Sequence, residues 1–291
     1  MSVQGRVYQP ATVDEAYGVL SDTGGGARIL AGGTDLMVLI NARQLPPPKD
    51  ELIDIWGLDE LREIEEEGAW LRFGALATWS HIVNSELAKE FAPTLIEAAR
   101  TIGAIQIQNR GTIGGNVVNA SPAGDSLPVL AAFDAEIEVG SSRGTRRIGF
   151  NEFYTGYRKT VLAADEMVIA VRLPKMRSDE QAFFFKVGTR RAQAISKVVM
   201  SSRVRVVDGI IESITLGLGS VAPTVIRALR TEALLKEKRL SQELVAQART
   251  EIAAEISAIT DLRSTEHYRR TVTGNLVGRI LRHVGGSPLM R

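Results

Sequence analysis

The stretch "RGTIGGNVVNASPAGDSLPVLAAF", residues 110–133, places paired glycines, asparagines and one aspartate immediately before an apolar run. A glycine turn of similar character occurs earlier in the chain, "LAGGTDL" at 30–36; this is the first glycine turn, and "GTIGGN" at 111–116 is the second. Glycine permits positive φ and a close backbone approach, so the N–H groups of such a turn can point at an anion. Each turn is therefore either an ordinary structural turn or part of a site for a phosphate-bearing ligand.

Neither turn matches a standard phosphate-binding loop. The chain has no GxxxxGK[ST] sequence, and "GGGARILAGG" at 24–33 does not place GxGxxG between a first strand and its helix. These features argue against the P-loop and Rossmann classes. The threonine and asparagine side chains beside the glycines would still add hydrogen-bond donors for an oxygen-rich ligand.

Other polar residues near the second turn have two interpretations as well. Asp125 can stabilise the dipole of a helix that starts within "SLPVLAAF" (126–133), or it can contact a ribose or ribityl hydroxyl. Asn116, Asn119 and Ser121 either form turns or donate hydrogen bonds to a ligand. The residues alone leave these alternatives open.

The composition is that of a globular protein, with 291 residues, 44% of them hydrophobic and 24% charged, which is enough for two domains. The formal net charge is +1, and no long block of like charge indicates a nucleic-acid surface. No run of about 18 apolar residues predicts a membrane span, and "MSVQGRVYQP" lacks the apolar segment of a secretory signal. We therefore expect a cytoplasmic protein.

The side chains offer little chemistry of their own. The chain has no cysteine, which excludes disulfides, thiolate catalysis and iron–sulfur clusters ligated by this chain. Its histidines, His81, His267 and His283, lie far apart with no HExxH spacing, and no GxSxG is present. We predict no catalytic side chain and no metal site, so redox or group-transfer chemistry must come from a bound organic cofactor.

The first third of the chain predicts alternating helices and strands. Thr12 and Glu15 have capping-box spacing at the start of an amphipathic helix over 12–21. The stretch 27–43 predicts a strand, a glycine turn and a helix with Thr34 as its N-cap. The next predicted elements are two strands and one helix, over 51–55, 70–78 and 78–91.

The remainder changes from α/β to α+β character. After a hairpin over 135–150 and a strand over 166–174, the polar stretch "MRSDEQ" (176–181) predicts a domain boundary. Three strands follow, and Asp208-Gly209 joins the last two of them as a hairpin turn. Three helical segments then occupy about 225–284, and strands followed by helices are typical of an α+β domain.

Five motifs occur along the chain in the order "LAGGTDL" (30–36), "NRGTIGGNVVNASPAGDSLPVL" (109–130), "SRGTRR" (142–147), "YRKTVLAADEMVIAVRLP" (157–174) and "FFFKVGTRRAQAISKV" (183–198), and the resemblance that they carry covers nearly the whole chain. Together they resemble the FAD-binding medium subunit of the molybdenum hydroxylases. That family includes the flavin subunits or domains of xanthine dehydrogenase, carbon monoxide dehydrogenase and aldehyde oxidase. The ordered set is far more specific than any single motif.

The resemblance implies an α+β fold of the FAD-binding vanillyl-alcohol-oxidase (PCMH) type. Residues 1–176 would form the FAD-binding domain, with two α/β subdomains at about 1–56 and 57–176. Residues 177–291 would form a C-terminal CO-dehydrogenase-flavoprotein-like domain, in which a three-stranded antiparallel sheet packs against helices.

The resemblance also implies which residues bind FAD. A loop around the pyrophosphate would consist of Ile29, Leu30, Ala31, Gly32, Gly33, Thr34, Asp35 and Leu36. A second loop would contain Thr112, Gly114, Gly115 and Asn116, with Ser121 as a further candidate.

The remaining implied contacts are single residues. Asp125 would bind a sugar or ribityl hydroxyl, and Val168 would offer backbone contacts to the adenine or the flavin. Lys186 would lie near the isoalloxazine, although strand alternation by itself makes it an ordinary outward lysine. Ile102 stands where the family often has an aromatic residue near the flavin, so we expect apolar packing there in place of stacking.

The function implied by the resemblance is electron transfer within a molybdenum-containing hydroxylase or dehydrogenase. A small partner subunit would carry [2Fe–2S] clusters, a large subunit would carry the molybdenum cofactor, and FAD would pass electrons to NAD or another acceptor. The lack of cysteine fits this division, and we expect a dimer of heterotrimers.

Two alternatives stay open. One is a self-sufficient flavin-dependent oxidase or reductase acting directly on a small molecule, and the other is a flavin-free interaction subunit.

Overall fold

The structure, a computed structural model, describes residues 5–42, 44 and 51–286. Arg43, the end of the predicted strand, turn and helix, lies outside the described residues, as do the outer ends of both predicted domains. The N-terminal elements are β1 (Arg6–Tyr8), α1 (Val13–Asp22), β2 (Arg28–Leu30), α2 (Leu36–Asn41) and β3 (Glu51–Asp54). Their strands form a parallel sheet in the order β1-β3-β2.

The starts of α1 and α2 test the predicted caps. The Thr12 side chain accepts a hydrogen bond from the Glu15 N–H, and the Glu15 carboxylate accepts one from the Ala11 N–H, so the predicted cap of α1 is confirmed. Thr34 as the N-cap of α2 is wrong. The residue before α2 is Asp35, which already has helical backbone angles and makes no side-chain cap hydrogen bond.

The middle of the chain builds an antiparallel sheet and a layer of helices. Its elements are β4 (Ile64–Glu67), β5 (Trp70–Gly74), α3 (Trp79–Asn84), α4 (Glu86–Phe91), α5 (Pro93–Thr101), α6 (Ile105–Gln108), α7 (Ile113–Asn119), α8 (Leu127–Ala132), β6 (Glu136–Ser141), β7 (Gly144–Gly149), β8 (Tyr154–Gly156), β9 (Lys159–Thr160) and β10 (Met167–Pro174). The five-stranded sheet has the order β4-β5-β10-β6-β7, and β8 pairs with β9 alone.

The single helix predicted over 78–91 is wrong, because the structure has α3 and α4 in its place. Ser85 has an extended backbone, ends α3, and accepts a hydrogen bond from the Ala88 N–H as the N-cap of α4. A serine hydroxyl competes for backbone donors in this way, which favours a helix boundary over a continuous helix. The predicted hairpin over 135–150 is confirmed as β6 and β7.

The C-terminal elements are β11 (Gln181–Val187), β12 (Val198–Val207), β13 (Ile210–Gly219), β14 (Ile226–Arg227), α9 (Leu229–Leu235), α10 (Gln242–Glu255) and α11 (Glu266–Val284). The predicted Asp208-Gly209 turn is confirmed, with φ of 51° and 75° at the two residues. The predicted three-stranded sheet is wrong in its strand number. The sheet has four strands, because Ile226 and Arg227 pair with β13 and the first helix begins only at Leu229.

Three hydrophobic cores hold these layers together. One lies between the five-stranded sheet and the helices of the middle segment, and a second lies between the opposite face of that sheet and the N-terminal elements. The third lies between the C-terminal sheet and α9, α10 and α11. The other face of the C-terminal sheet meets α8 at Gly217, where a Cβ would overlap the carbonyl of Pro128. Within the described residues, no helix combines the length and apolar character needed to cross a bilayer.

Two glycine substitutions are expected to change stability in opposite directions. Gly209→Ala should lower the free energy of unfolding by about 1–2 kcal/mol, because Gly209 has a φ of +75° that costs a Cβ-bearing residue energy. Gly18→Ala should raise it by about 0.5–1 kcal/mol, because Gly18 lies inside α1 with no other atom within 4 Å of a new Cβ. Urea unfolding of the full chain measures both, and changes of equal sign would contradict the assigned turn.

Candidate functional site

A cavity of about 440 Å³ lies where the two glycine turns and the start of β10 meet. Small-molecule sites commonly have volumes of about 300–1,000 Å³. Most of the residues selected from the sequence line this cavity, namely Ile29, Ala31, Gly32, Gly33, Thr34, Asp35, Leu36, Ile102, Thr112, Gly114, Gly115, Asn116 and Val168. Leu30, Ser121, Asp125 and Lys186 do not line it.

The turn between β2 and α2 supplies unused hydrogen-bond donors. Gly33 has a φ of +76°, and α2 begins three residues later at Leu36. Across the described part of the chain, no acceptor receives the backbone N–H of any residue from Gly32 to Leu36. Successive N–H groups in a turn of this kind form an anion-binding concavity. The first glycine turn therefore has the geometry of a phosphate site.

The second glycine turn has a different role. The N–H groups of Ile113 and Gly114 donate to the carbonyls of Ala77 and Ala75, both at 3.0 Å. The N–H of Gly115 donates to the Thr112 side chain at 3.1 Å, and that of Asn116 donates to the Thr112 carbonyl at 3.0 Å. These donors are already used by the protein. The start of α7 therefore gives the cavity a rigid wall of small residues rather than free N–H groups.

The two turns touch through their backbones. A Cβ on Gly32 would overlap the carbonyl oxygen of Arg110, so only glycine allows this approach. On the other side, a Cβ on Gly114 would lie 2.7 Å from the Cβ of Ala75, which fixes α7 close to the end of β5. Gly32 and Gly111 are far apart in the sequence, but this contact makes them neighbouring parts of the cavity wall.

Trp56 holds the outer side of this junction. The guanidinium carbon of Arg110 lies 3.7 Å from the centre of the Trp56 ring, and that of Arg62 lies 4.2 Å from it. Arg62 also donates to the Trp56 carbonyl. Cation–π contacts of this type contribute about 0.5–2 kcal/mol. Sequence analysis did not select Trp56, because the partners of an isolated tryptophan depend on the tertiary structure.

The remaining walls are largely apolar. Leu36 and Leu39 line the cavity from α2, a helix that has no buried residue despite its sequence LMVLIN. Ile102 and Ile107 contribute from the segment around α6. The ladder between β10 and β6 shifts register after Val168, and both Met167 and Val168 reach the cavity wall. A β-bulge re-aims side chains in this manner.

One charged group at the wall, Glu166, is already held by protein partners. Glu166 accepts hydrogen bonds from Arg146 Nε at 2.7 Å, from Arg146 Nη2 at 2.8 Å and from the Ala163 N–H at 2.8 Å. The Arg146 guanidinium lowers the pKa of Glu166 to about 2. Glu166 therefore stays ionised at neutral pH. Sequence analysis missed this residue, because Arg146 lies on another strand.

Asp125 and Lys186 form a buried ion pair with each other. Lys186 Nζ donates to Asp125 at 2.5 Å and to the Thr101 carbonyl at 2.9 Å, and the Ser196 hydroxyl donates to Asp125 at 2.5 Å. Burial raises the pKa of Asp125, while Lys186 and Ser196 oppose the rise. The pair is linked to the cavity wall through Thr101, which immediately precedes the lining residue Ile102.

The comparisons with known proteins point to one family. Residues 2–176 match the family model described as the FAD binding domain in molybdopterin dehydrogenase, and residues 183–284 match the CO dehydrogenase flavoprotein C-terminal domain. The chain is 30% identical over 277 residues to the carbon monoxide dehydrogenase medium chain of Hydrogenophaga pseudoflava, covering 94% of each protein. It is 29% identical over 286 residues to a putative xanthine dehydrogenase FAD-binding subunit of Escherichia coli strain K12, covering 96% of this chain and 97% of the relative.

The comparison with solved structures points to the same family. A solved carbon monoxide dehydrogenase of Hydrogenophaga pseudoflava, which lacks the Mo-pyranopterin moiety of its molybdenum cofactor, has a chain that matches with a TM-score of 0.90. The two chains are 29% identical, and the match covers 95% of each.

The contact between the two turns gives a testable expectation. Gly32→Ala should weaken FAD binding by more than about tenfold, because the new Cβ pushes Arg110 away and distorts the row of free N–H groups. Gly57→Ala is the matched control, since no other atom lies within 4 Å of its Cβ position and its φ is not positive. Fluorescence titration with FAD measures both affinities. Equal affinities for the two variants would contradict the proposed contact.

Proposed function

This chain belongs to the family of FAD-binding subunits of molybdopterin dehydrogenases, as its motifs predicted, and we propose that it is the electron-transfer medium subunit of a molybdenum-containing hydroxylase. Electrons would arrive from [2Fe–2S] clusters on a partner chain and pass through FAD to NAD or another acceptor. The main support for this proposal is the row of free backbone N–H groups from Gly32 to Leu36. These residues line a cavity whose other walls are largely apolar.

The free backbone donors and the apolar walls of the cavity fit FAD. The free N–H groups of the first turn suit a diphosphate, because backbone dipoles can neutralise an anion without a charged side chain. The apolar walls from α2 and around Ile102 suit flat ring systems. Bound FAD supplies the redox chemistry that the side chains lack. The chain itself binds the dinucleotide, orients its rings and keeps water from them.

The second glycine turn and the single-residue sites have supporting roles in this proposal. In this proposal, Thr112 and its neighbours form the α7 wall beside the diphosphate. The Asn116 side chain is oriented by a hydrogen bond that it accepts from the Ser126 hydroxyl at 2.7 Å. Asp125 and Ser121 are assigned to the sugar or ribityl hydroxyls, and Val168 to backbone contacts with the ring. Lys186 acts near the isoalloxazine from behind Ile102, where its pairing with Asp125 fixes its position.

The domain arrangement is part of the same proposal. Residues 1–176 form the FAD-binding domain, of the vanillyl-alcohol-oxidase type, with subdomains at about 1–56 and 57–176. Residues 177–291 form the C-terminal domain. The ranges of the two family models support this division, as do the separate hydrophobic cores.

The partners follow from what this chain lacks. With no cysteine in the sequence, the iron–sulfur clusters must lie on another chain, and the molybdenum cofactor would lie on a large subunit. The relatives that are named medium chain or medium subunit support this assignment. The complete complex is proposed to be a dimer of heterotrimers.

The proposal predicts a flavoprotein without substrate chemistry of its own. The purified full chain should bind FAD at about one equivalent, show flavin absorbance and oxidise no organic substrate alone. Adding the proposed large and small partner subunits should restore substrate-dependent reduction of the flavin, followed in an anaerobic spectrophotometer. Substrate oxidation by the isolated chain would favour a self-sufficient oxidase, and a colourless protein that takes up no FAD would favour an interaction subunit.

The salt dependence of FAD binding is a second expectation. Arg28 is the one cationic residue in the described cavity lining, so backbone dipoles supply most of the attraction for the diphosphate. Salt screens exposed charge pairs but has little effect on fixed dipoles in close contact, so the affinity should change less than about threefold between roughly 0.05 and 0.5 M NaCl. Isothermal titration calorimetry measures it. A steep loss of affinity with salt would show that cationic side chains bind the diphosphate.

A further inference from the structure

The segment that joins α5 to α6 carries two apolar residues of the cavity wall. Ile102 follows the last residue of α5, Ile107 lies within α6, and both line the cavity. The chain reverses between them at Gly103, which has a φ of +56°. A Cβ on Gly103 would lie 2.7 Å from the Cβ of Ile107, so this turn packs directly against α6. The two lining isoleucines therefore belong to one folded-back segment.

The end of α5 needs hydrogen-bond donors from outside the helix, because the last four carbonyls of a helix have no partner within it. The carbonyls of Ala98, Ala99 and Thr101 accept such hydrogen bonds, at 2.8, 3.2 and 2.9 Å. The carbonyl of Arg100, and that of Ile102 directly after the helix, still require donors.

Gln108 supplies the donor for both carbonyls. Its Nε2 lies 3.3 Å from the Arg100 carbonyl oxygen and 3.2 Å from that of Ile102. Among the described residues, no other group donates to either carbonyl. A carbonyl only accepts, so the amide nitrogen of Gln108 must face the two oxygens, and the side chain has one orientation. Gln108 thereby ties α6 to the end of α5 at the lining residue Ile102.

The position of this wall controls how well it contacts a ligand. Dispersion attraction between a side chain and a ring falls steeply with distance, and a gap of about 0.5–1 Å removes roughly a quarter to a half of it. Ile102 has an extended backbone, with φ of −80° and ψ of 113°, so no helical bond holds its carbonyl. The bond from Gln108 is therefore what fixes the peptide on the C-terminal side of Ile102.

We infer that Gln108 is a positioning residue of the FAD site, which acts by holding Ile102 in the cavity wall. Gln108 does not line the cavity itself. The inference rests on the proposed function, because it takes FAD as the ligand of this cavity, and it holds for whichever part of FAD lies against Ile102. The alternative is that Gln108 only caps α5, in which case its loss would lower stability without acting through Ile102.

Variants of two glutamines on α6 test this assignment. Gln108→Met is the test variant, because methionine has a similar length and helix propensity but no N–H donor. Gln106→Met is its matched control, since Gln106 lies on the same helix, is exposed and does not line the cavity. Gln108→Lys keeps N–H donors at the tested position. Fluorescence titration of each full chain with FAD measures the affinity, and thermal unfolding without FAD confirms that each variant is folded.

Gln108→Met should weaken FAD binding by about three- to tenfold, a loss of the size that one hydrogen bond contributes. Gln106→Met should bind FAD like the original chain, and Gln108→Lys should recover most of the lost affinity. Made in an Ile102→Ala chain, the Gln108→Met change should alter the affinity by less than about twofold, because the side chain through which Gln108 acts has been removed. A purely structural cap would produce the same fold-change in both backgrounds.

Four results would overturn the inference. Gln108→Met could bind FAD as tightly as the original chain, or Gln108→Lys could bind it as weakly as Gln108→Met. Gln108→Met could also cause an equal loss with and without Ile102→Ala. The fourth result is an Ile102→Ala chain that binds FAD like the original chain, which decides the question even where Gln108→Met fails to fold.

Each of these results leaves the proposed function intact, provided that the original chain binds FAD. Failure of the original chain to bind FAD would refute the proposed function itself.

Discussion

The backbone contact between Gly32 and the carbonyl of Arg110 is the constraint on which the site depends. It joins the turn after β2 to the turn before α7 without any side chain between them, so no change of rotamer can adjust it. Because the two backbones touch, the free N–H groups from Gly32 to Leu36 are held beside the wall of α7. Trp56 reinforces the junction from outside by packing against the side chain of the same Arg110.

The two glycine turns look equivalent in sequence, but their hydrogen bonds make them complementary. The start of α7 donates to Ala75 and Ala77, which ties it to the segment after β5. The start of α2 makes no comparable bonds within the described residues, and none of its residues is buried. A rigid wall therefore faces a turn whose donors are unused, and a ligand that fills the cavity would complete the surroundings of Leu36 and Leu39. An anion that binds to those donors displaces water. Little conformational entropy is lost on binding, because the backbone is already fixed.

Local signals in the sequence were sufficient for the features that depend on neighbouring residues. The cap of α1 at Thr12, the Asp208-Gly209 hairpin and the two glycine turns all follow from local backbone chemistry, and the motifs identified the family. Two errors, the helix boundary at Ser85 and the residue that precedes α2, concern local backbone conformation. The fourth strand of the C-terminal sheet was missed because distant contacts decide it. Ile226 and Arg227 form a strand because β13 offers them a free edge, and no periodicity within those two residues signals it. The same holds for the site, since Glu166 gains its partner Arg146 only when β7 and the segment before β10 come together.

The placement of charge around the cavity follows one physical rule, that each buried ionised group has a protein partner of opposite sign. Asp125 is paired with Lys186, and Glu166 with Arg146, so neither carboxylate needs the ligand for its neutralisation. The Asp125–Lys186 pair also has a structural consequence, because Lys186 lies on β11 while Asp125 and Thr101 belong to the helical layer of the middle segment. Removing one partner would leave an uncompensated buried charge, which is far more costly than the net gain from the pair. The buried pair therefore fixes the C-terminal sheet against the wall at Ile102. The Asp125–Lys186 ion pair thus also sets the position of the cavity relative to that sheet.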